Sequence, residues 1–354
     1  MKCFSPRVLA ATVFLAWGAA CSESRPESGA GVVAQARPAE FSALFARSGS
    51  VRLEQPDSAP IVRISGIDQD SGGRILIGDV SEGNVKLFAP DGRLLRVIGR
   101  KGGGPGEFTA PRYPRFGPGG LIYVADAQNP RIQVFDSAGT LRGSTRLGGA
   151  GVIMGFEPLT ASTYLLAVRR ATDDRVLVEM DSSGTIRRQF LRIGKVNPTG
   201  QDDLELWGNV RSFFVTVSSD TAYVSTTLSD TLWSVHLPTG REGRTRLAFP
   251  GYVPPAPPAK SLPDGIQGLM AWSRSFHSGS TISSAGGALF LPYVQGVLND
   301  GDPMLLLVRG RDGQWLAASG APPIIGAGNG GAIGILTPGQ DQVELGFFQL
   351  RPRQ

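Results

Sequence analysis

Short runs of alternating or apolar residues, each closed by a small polar turn, recur along most of this 354-residue chain. Residues 64–98 read ISGIDQDSGGRILIGDVSEGNVKLFAPDGRLLRVI, and residues 114–147 read PRFGPGGLIYVADAQNPRIQVFDSAGTLRGSTRL. Each stretch holds four such runs separated by Gly, Asp and Asn. Period-two alternation bounded by these residues predicts strands and hairpins rather than helices. Six turn glycines mark six copies: Gly49, Gly92, Gly139, Gly184, Gly240 and Gly313. Units with four strands and a period of about 40–50 residues are propeller blades.

Three stretches fall outside this rhythm. Residues 195–208 and 250–274 separate blades, and residues 295–303 lie inside the fifth blade. At the start, FSALFARSGSVRL aligns with the second half of a unit and predicts a hairpin around Gly49. At the end, GAIGILT and QVELGFFQL supply two more strands. The expected fold is an all-β six-bladed β-propeller, closed by the N-terminal hairpin pairing with the C-terminal strands. Such a clasp leaves the ring without an open seam.

The N-terminus departs from this pattern. Lys2 and Arg7 precede an apolar stretch from Val8 to Trp17, which ends in Gly18-Ala19-Ala20-Cys21. This order reads as an export signal, and it is too short for a spanning helix. It resembles a bacterial lipoprotein signal, which implies lipidation at Cys21, although Gly18 stands where Leu is usual in that family. A plain cleaved signal is the alternative. Three domains follow: 1–21 as signal peptide, 22–39 as a polar, Pro- and Gly-bearing tether, and 40–354 as the propeller. With Cys3 removed alongside the signal, Cys21 is the one cysteine left, and no intrachain disulfide can form.

Residues 99–139 resemble the NHL repeat, with its Gly-rich GxGPGEF link, IYVAD, RIQVFD and turn glycine. Asp126, Asn129, Arg131, Phe135 and Gly139 occupy its motif positions, and Asp79, Val85, Phe88 and Gly92 repeat part of it. The resemblance implies a six-bladed propeller and no single activity, because one fold hosts many functions. Basic NHL propellers bind nucleic acid. A formal net charge of +5 without any basic run, behind an export signal, argues against that here.

Several candidates for chemistry have plain structural readings. Asp79 and Asp126 recur once per blade, so each is expected to pin its blade by bonding the turn that follows. Gly102 to Gly106 lacks the Lys-Ser/Thr of a phosphate loop, and Gly326 to Gly331 lacks the βαβ setting of a dinucleotide site. Both are read as blade connections. His236 lies in an apolar strand, and the two histidines cannot supply a zinc site. No G-x-S-x-G nucleophile motif is present. No cofactor is expected. Calcium is left open because Asp, Asn and backbone oxygens can hold it, but no spaced carboxylates announce such a site.

Cationic and aromatic residues recur where the chain enters three innermost strands: Arg112, Tyr113 and Arg115, then Trp207 and Arg211, then Trp272, Arg274 and His277. Arg forks grip carboxylates and phosphates, and flat rings give contact area. These eight residues are the candidate ligand-binding set, against a reading in which they pack the long insertions. The Pro-rich stretch 250–263 is read as a lid over the same mouth.

The expected function is that of a monomeric cell-envelope binding or scaffold protein. Its partner would be an envelope protein or a small anionic or sugar-like ligand, and its only membrane link would be Cys21. The alternative is a lyase or hydrolase working in the tunnel with a divalent cation.

Overall fold

A computed structural model describes residues 32–33, 38–149, 151–170, 174–193, 212–254, 265–295, 303–337 and 342–352. Six sheets follow one another around a ring. Blade one comprises Ile64–Gln69, Ile75–Asp79, Asn84–Phe88 and Leu94–Ile98. Blade two comprises Pro111–Phe116, Ile122–Asp126, Arg131–Phe135 and Leu141–Arg146. Blade three comprises Val152–Thr160, Thr163–Arg169, Arg175–Asp181 and Ile186–Arg192. Blade four comprises Phe213–Ser218, Thr221–Thr226, Thr231–His236 and Arg241–Ala248.

In blade five the innermost strand is broken into His277–Gly279 and Ser283–Ala285. Both pieces pair with Ala288–Gln295, which is followed by Met304–Arg309 and Trp315–Ala321. Blade six takes Ile324–Gly328, Gly331–Thr337 and Glu344–Leu350 from the end of the chain. Its outermost strand is β3 (Phe45–Arg52), from the start.

The ring is therefore closed by N- and C-terminal pairing, but through a single strand. β3 runs antiparallel to Glu344–Leu350 from Arg52↔Glu344 to Phe45↔Leu350. Gly49 sits inside β3 opposite Phe347, not in a hairpin turn. The three-plus-one division follows because Ile324–Gly328, whose glycines suggest a loop, forms an innermost strand. Its glycines fit there because a side chain at Gly326 or Gly328 would run into Ile67 or Gln69 of blade one.

Phe41 stacks on Phe45 at 4.6 Å and meets Phe348 edge-on at 5.0 Å, which seals the joint with apolar area. The other five turn glycines all have positive φ, from 71° to 87°. At Gly92 the requirement is double, since a Cβ would also strike the Arg52 carbonyl of β3.

The stretch expected to be a tether also pairs with the ring. β1 (Val32–Val33) runs parallel to the outer strand of blade four, and β2 (Ala39–Glu40) runs parallel to that of blade five. Two outer edges that would otherwise lie open are covered in this way.

In blades one and two the second and third strands are buried on both faces, as in ILIGD and NVKLF of blade one. Facing blades share the core. Tyr123 and Phe156 both pack on Tyr164, with ring centres 6.1 and 5.9 Å away.

Asp79 bonds the turn that follows it, accepting from the N–H groups of Ser81 and Glu82. It also accepts from Val62 and Arg63 of the incoming link. Asp126 differs from the expectation, because its backbone donors are Thr109 and Ala110 of the incoming link. Each Asp meets a cation from its own blade: Lys86 at 3.3 Å in blade one and Arg131 at 3.4 Å in blade two.

Arg131 and Asn129 hold the carbonyls of Gly104, Glu107 and Gly103. The N–H groups of Gly104 and Gly106 are taken by Glu107 and Gln133. The Gly-rich link is thus a pinned connection, with those donors already used. Gly326 to Gly331 is part of blade six and not a connection between blades.

Candidate functional site

The inner strands enclose a channel of about 880 Å³ along the ring axis, lined by residues from all six blades. Its walls are unequal because the blades differ at one register. In blades one, two and three, Ile75, Ile122 and Tyr164 pair with Phe88, Phe135 and Met180, the residues that precede each turn. The next residues outward in register, Leu76, Tyr123 and Leu165, pair with Asp68, Arg115 and Glu157 on the innermost strands. Three successive blades therefore place an acid, an arginine and an acid at one level of the channel.

Arg115 Nε lies 3.3 Å from Glu157 Oε2, and its Nη1 donates to the carbonyls of Pro114 (3.1 Å) and Ile67 (3.4 Å). Asp68 Oδ2 accepts from the Phe116 N–H at 2.7 Å. Protein surrounds these groups on every side except the channel, where 18% of the Arg115 side chain and 16% of Glu157 remain accessible.

Burial pushes Asp68 up to about 6, against the pull of the Arg115 charge and of the Phe116 and Gln69 N–H groups. Burial pushes Glu157 up to about 7, opposed by Arg115 and reinforced by Asp68. Burial works against the Arg115 charge as well, but Glu157 and Asp68 more than offset it and hold the guanidinium firmly protonated. Near neutrality the row can therefore both donate and accept protons.

The far side of the ring is neutral. At the corresponding register of blade five stands Ser283, two blades' width from either neighbour of the acid row and opposite Arg115 in ring order. Its hydroxyl is buried with no hydrogen-bond partner. Thr216 of blade four donates to Ser284 at 3.1 Å, and Ser284 donates to the Val217 carbonyl. Blade six contributes Ile324, Ile325, Gly326 and Ala327 to the wall.

Exposed Arg63 and Arg112 line the cavity where the innermost strands begin. Between Arg112 and Arg115 the strand bulges, with Tyr113 at φ +51°. A non-glycine residue in the left-handed region costs energy, and such strain gathers at ligand sites. Burial also raises the Tyr113 phenol above its usual range.

The expected ligand set divides in the structure. Arg112, Tyr113 and Arg115 line the channel, and they sit on the innermost strand of blade two rather than on the link before it. Trp207 and Arg211 lie outside the described residues, as does most of the Pro-rich stretch. Trp272 and Arg274 belong to the end of a helix, Gly265–Ser273, and the turn after it. Trp272 packs edge-on against Phe276. His277 opens the broken innermost strand of blade five. Its Nδ1 accepts from the Val253 N–H, and burial lowers its pKa. None of these three lines the channel. Asp68 and Glu157 are the residues that sequence reading missed. Among the described residues there is no group of three or more His, Cys, Asp or Glu arranged for a metal ion.

The sequence profile of a family described as a 6-bladed beta-propeller matches residues 32–147. Sequence and structure agree on a six-bladed propeller. No curated protein matches the chain in sequence. Solved structures resemble it in fold. A protein of Bacteroides fragilis named "Putative exported protein" is 12% identical with a TM-score of 0.64, over 90% of this chain and 100% of that one. A member of the duf4221 family from Bacteroides vulgatus is 10% identical with a TM-score of 0.67, over 87% and 98%. Virginiamycin B lyase from Staphylococcus aureus is 12% identical with a TM-score of 0.50, over 87% and 100%. At such identities the likeness is one of fold alone.

Proposed function

We propose that this chain is an exported cell-envelope binding protein that holds a small anionic or sugar-like ligand in its channel. The observation that carries the reading is the Asp68–Arg115–Glu157 row facing Ser and Thr hydroxyls across a cavity of about 880 Å³. That volume falls within the roughly 300–1,000 Å³ of small-molecule sites. The export signal of the sequence supports the location, as does the name of the B. fragilis protein with the same fold. Lipidation of Cys21 and descent from NHL-type repeats belong to the same reading.

The alternative is a channel lyase or hydrolase using a divalent cation, and it draws on the same two carboxyls. It is the weaker reading because Arg115 is already paired with Glu157, so a cation placed there would meet a fixed guanidinium.

The test is ligand capture. Purified chain is incubated with a small-molecule extract of the cell envelope, and the retained compounds are identified by mass spectrometry. Thr281→Trp adds bulk to an irregular segment of the channel wall. Compounds retained by the wild type should be lost in this variant. Equal retention by both proteins would sink the channel as the site.

A further inference from the structure

We infer that the channel's ligand is a neutral saccharide, its hydroxyls read by Asp68 and Glu157 on one side of the ring and by Ser and Thr hydroxyls on the other. The inference rests on the channel being the binding site and narrows the ligand class.

The charges select this class. At the level of Arg115, two carboxyls stand against one guanidinium. The Arg115 donors at Nε and Nη1 are already committed to Glu157, Ile67 and Pro114. An anion there would meet two carboxyl groups beside a guanidinium already held by Glu157 and two carbonyls. A cationic ligand would have to pass the exposed Arg63 and Arg112 that line the same cavity. A neutral polar ligand avoids both penalties.

The wall chemistry then calls for many hydroxyls. Asp68 and Glu157 carry carboxyl oxygens with more lone pairs than the hydrogen bonds described above use, and both accept from O–H groups. The Ser283 hydroxyl, buried without a partner, is an unused polar group in the same ring. The hydroxyl is buried as it stands, so a ligand reaches it only as the side chain turns toward the cavity; pairing a buried group otherwise left unsatisfied recovers free energy. Phe116 and Phe214 also border the cavity, and apolar side chains beside the polar ones suit a sugar's C–H groups. A site built on hydrogen bonds to hydroxyls also discriminates strongly against ligands that lack them.

The experiment is isothermal titration of the full exported chain with cellobiose, maltose, lactose and trehalose as neutral probes. D-galacturonate and spermidine serve as the anionic and cationic probes. At least one neutral disaccharide should bind. Asp68→Ala and Glu157→Ala remove the acceptor oxygens, and at about pH 8 each should weaken that binding at least about tenfold, as expected for loss of a hydrogen bond to a charged group. Thermal melts check that both variants fold. Ser283→Ala removes only an unpartnered hydroxyl, keeps the test open if they do not fold, and should weaken binding too.

Binding of galacturonate or spermidine without any neutral sugar overturns the inference. If Thr281→Trp abolishes that binding, the channel reading survives. Binding of any probe that persists undiminished in Thr281→Trp removes the channel from both readings. Titrations without heat for any of the four sugars overturn the saccharide assignment.

Discussion

At the scale of single residues, Asp68 and Glu157 give the molecule a pH signature of unusual sign. Both carboxyls sit above their ordinary range, at about 6 and about 7. Between roughly pH 4 and pH 7 the folded chain therefore holds protons at these sites that the unfolded chain has released. Stability from these two groups rises as the pH falls through that window and is gone above it. Glu157→Gln mimics the protonated state. It should melt no lower than wild type at about pH 8, and its melting midpoint should rise less on acidification to about pH 5. A wild-type midpoint that falls as steeply as the variant's over this range would show that Glu157 titrates as an ordinary surface acid. Asp79 is the counter-example. Burial raises its pKa, but four N–H groups and Lys86 more than offset that and hold it below the usual range. Its contribution is lost only in stronger acid.

These residues also show what a sequence can and cannot reveal about the site. Arg112, Tyr113 and Arg115 are neighbours in the chain and stand out together. Asp68 and Glu157 are separated from them by whole blades and look like ordinary surface acids. Asp68 does share Arg115's offset from its turn glycine, Gly92 for one and Gly139 for the other. Aligning the repeats would have paired them. Glu157 escapes even that alignment, because the hairpin joining the second and third strands of blade three is longer: Leu165 pairs with Glu179, where Leu76 of blade one pairs with Leu87.

At the scale of elements, the closing strand decides whether the ring exists. β3 pairs along its length with Glu344–Leu350 and places Phe45, 2% exposed, in the joint. β1 and β2 add two residues each to outer edges. A mature chain that begins at Phe41 should keep a single cooperative melt, with at most a small loss of stability. Removing everything through Arg52 should abolish that transition and expose Glu344–Leu350 as a sticky edge, seen as aggregation or rapid proteolysis. If the longer truncation melted like the shorter, the closure would be ornamental.

The turn glycines were legible because left-handed backbone selects them. The single closing strand was not, since a glycine in extended backbone and one in a hairpin look alike in sequence. The innermost strand of blade six was hidden for a related reason. Its glycines answer to close approach by blade one, a demand only the assembled ring imposes.

At the scale of the whole molecule, repetition builds the ring and divergence equips it. Six copies of one unit put the same register into the channel, and the individual blades then vary what stands there. Carboxyls and a guanidinium come from blades one to three, hydroxyls from blades four and five, and apolar residues from blade six. A likeness of fold to other propellers therefore carries no ligand with it, because the ligand is set by what differs between copies. The proposed anchor also belongs to this scale. Cys21→Ser should shift the protein from the membrane fraction to the soluble one, while unchanged partition would remove the lipid from the description.

β1 holds the chain against the outer edge of blade four, not against either opening of the channel. From Cys21 to Val32 the backbone can reach roughly 35 Å at full extension. A lipid at Cys21 would therefore moor the ring by the rim of blade four, on a line of that length, and neither face of the ring would carry the mooring point.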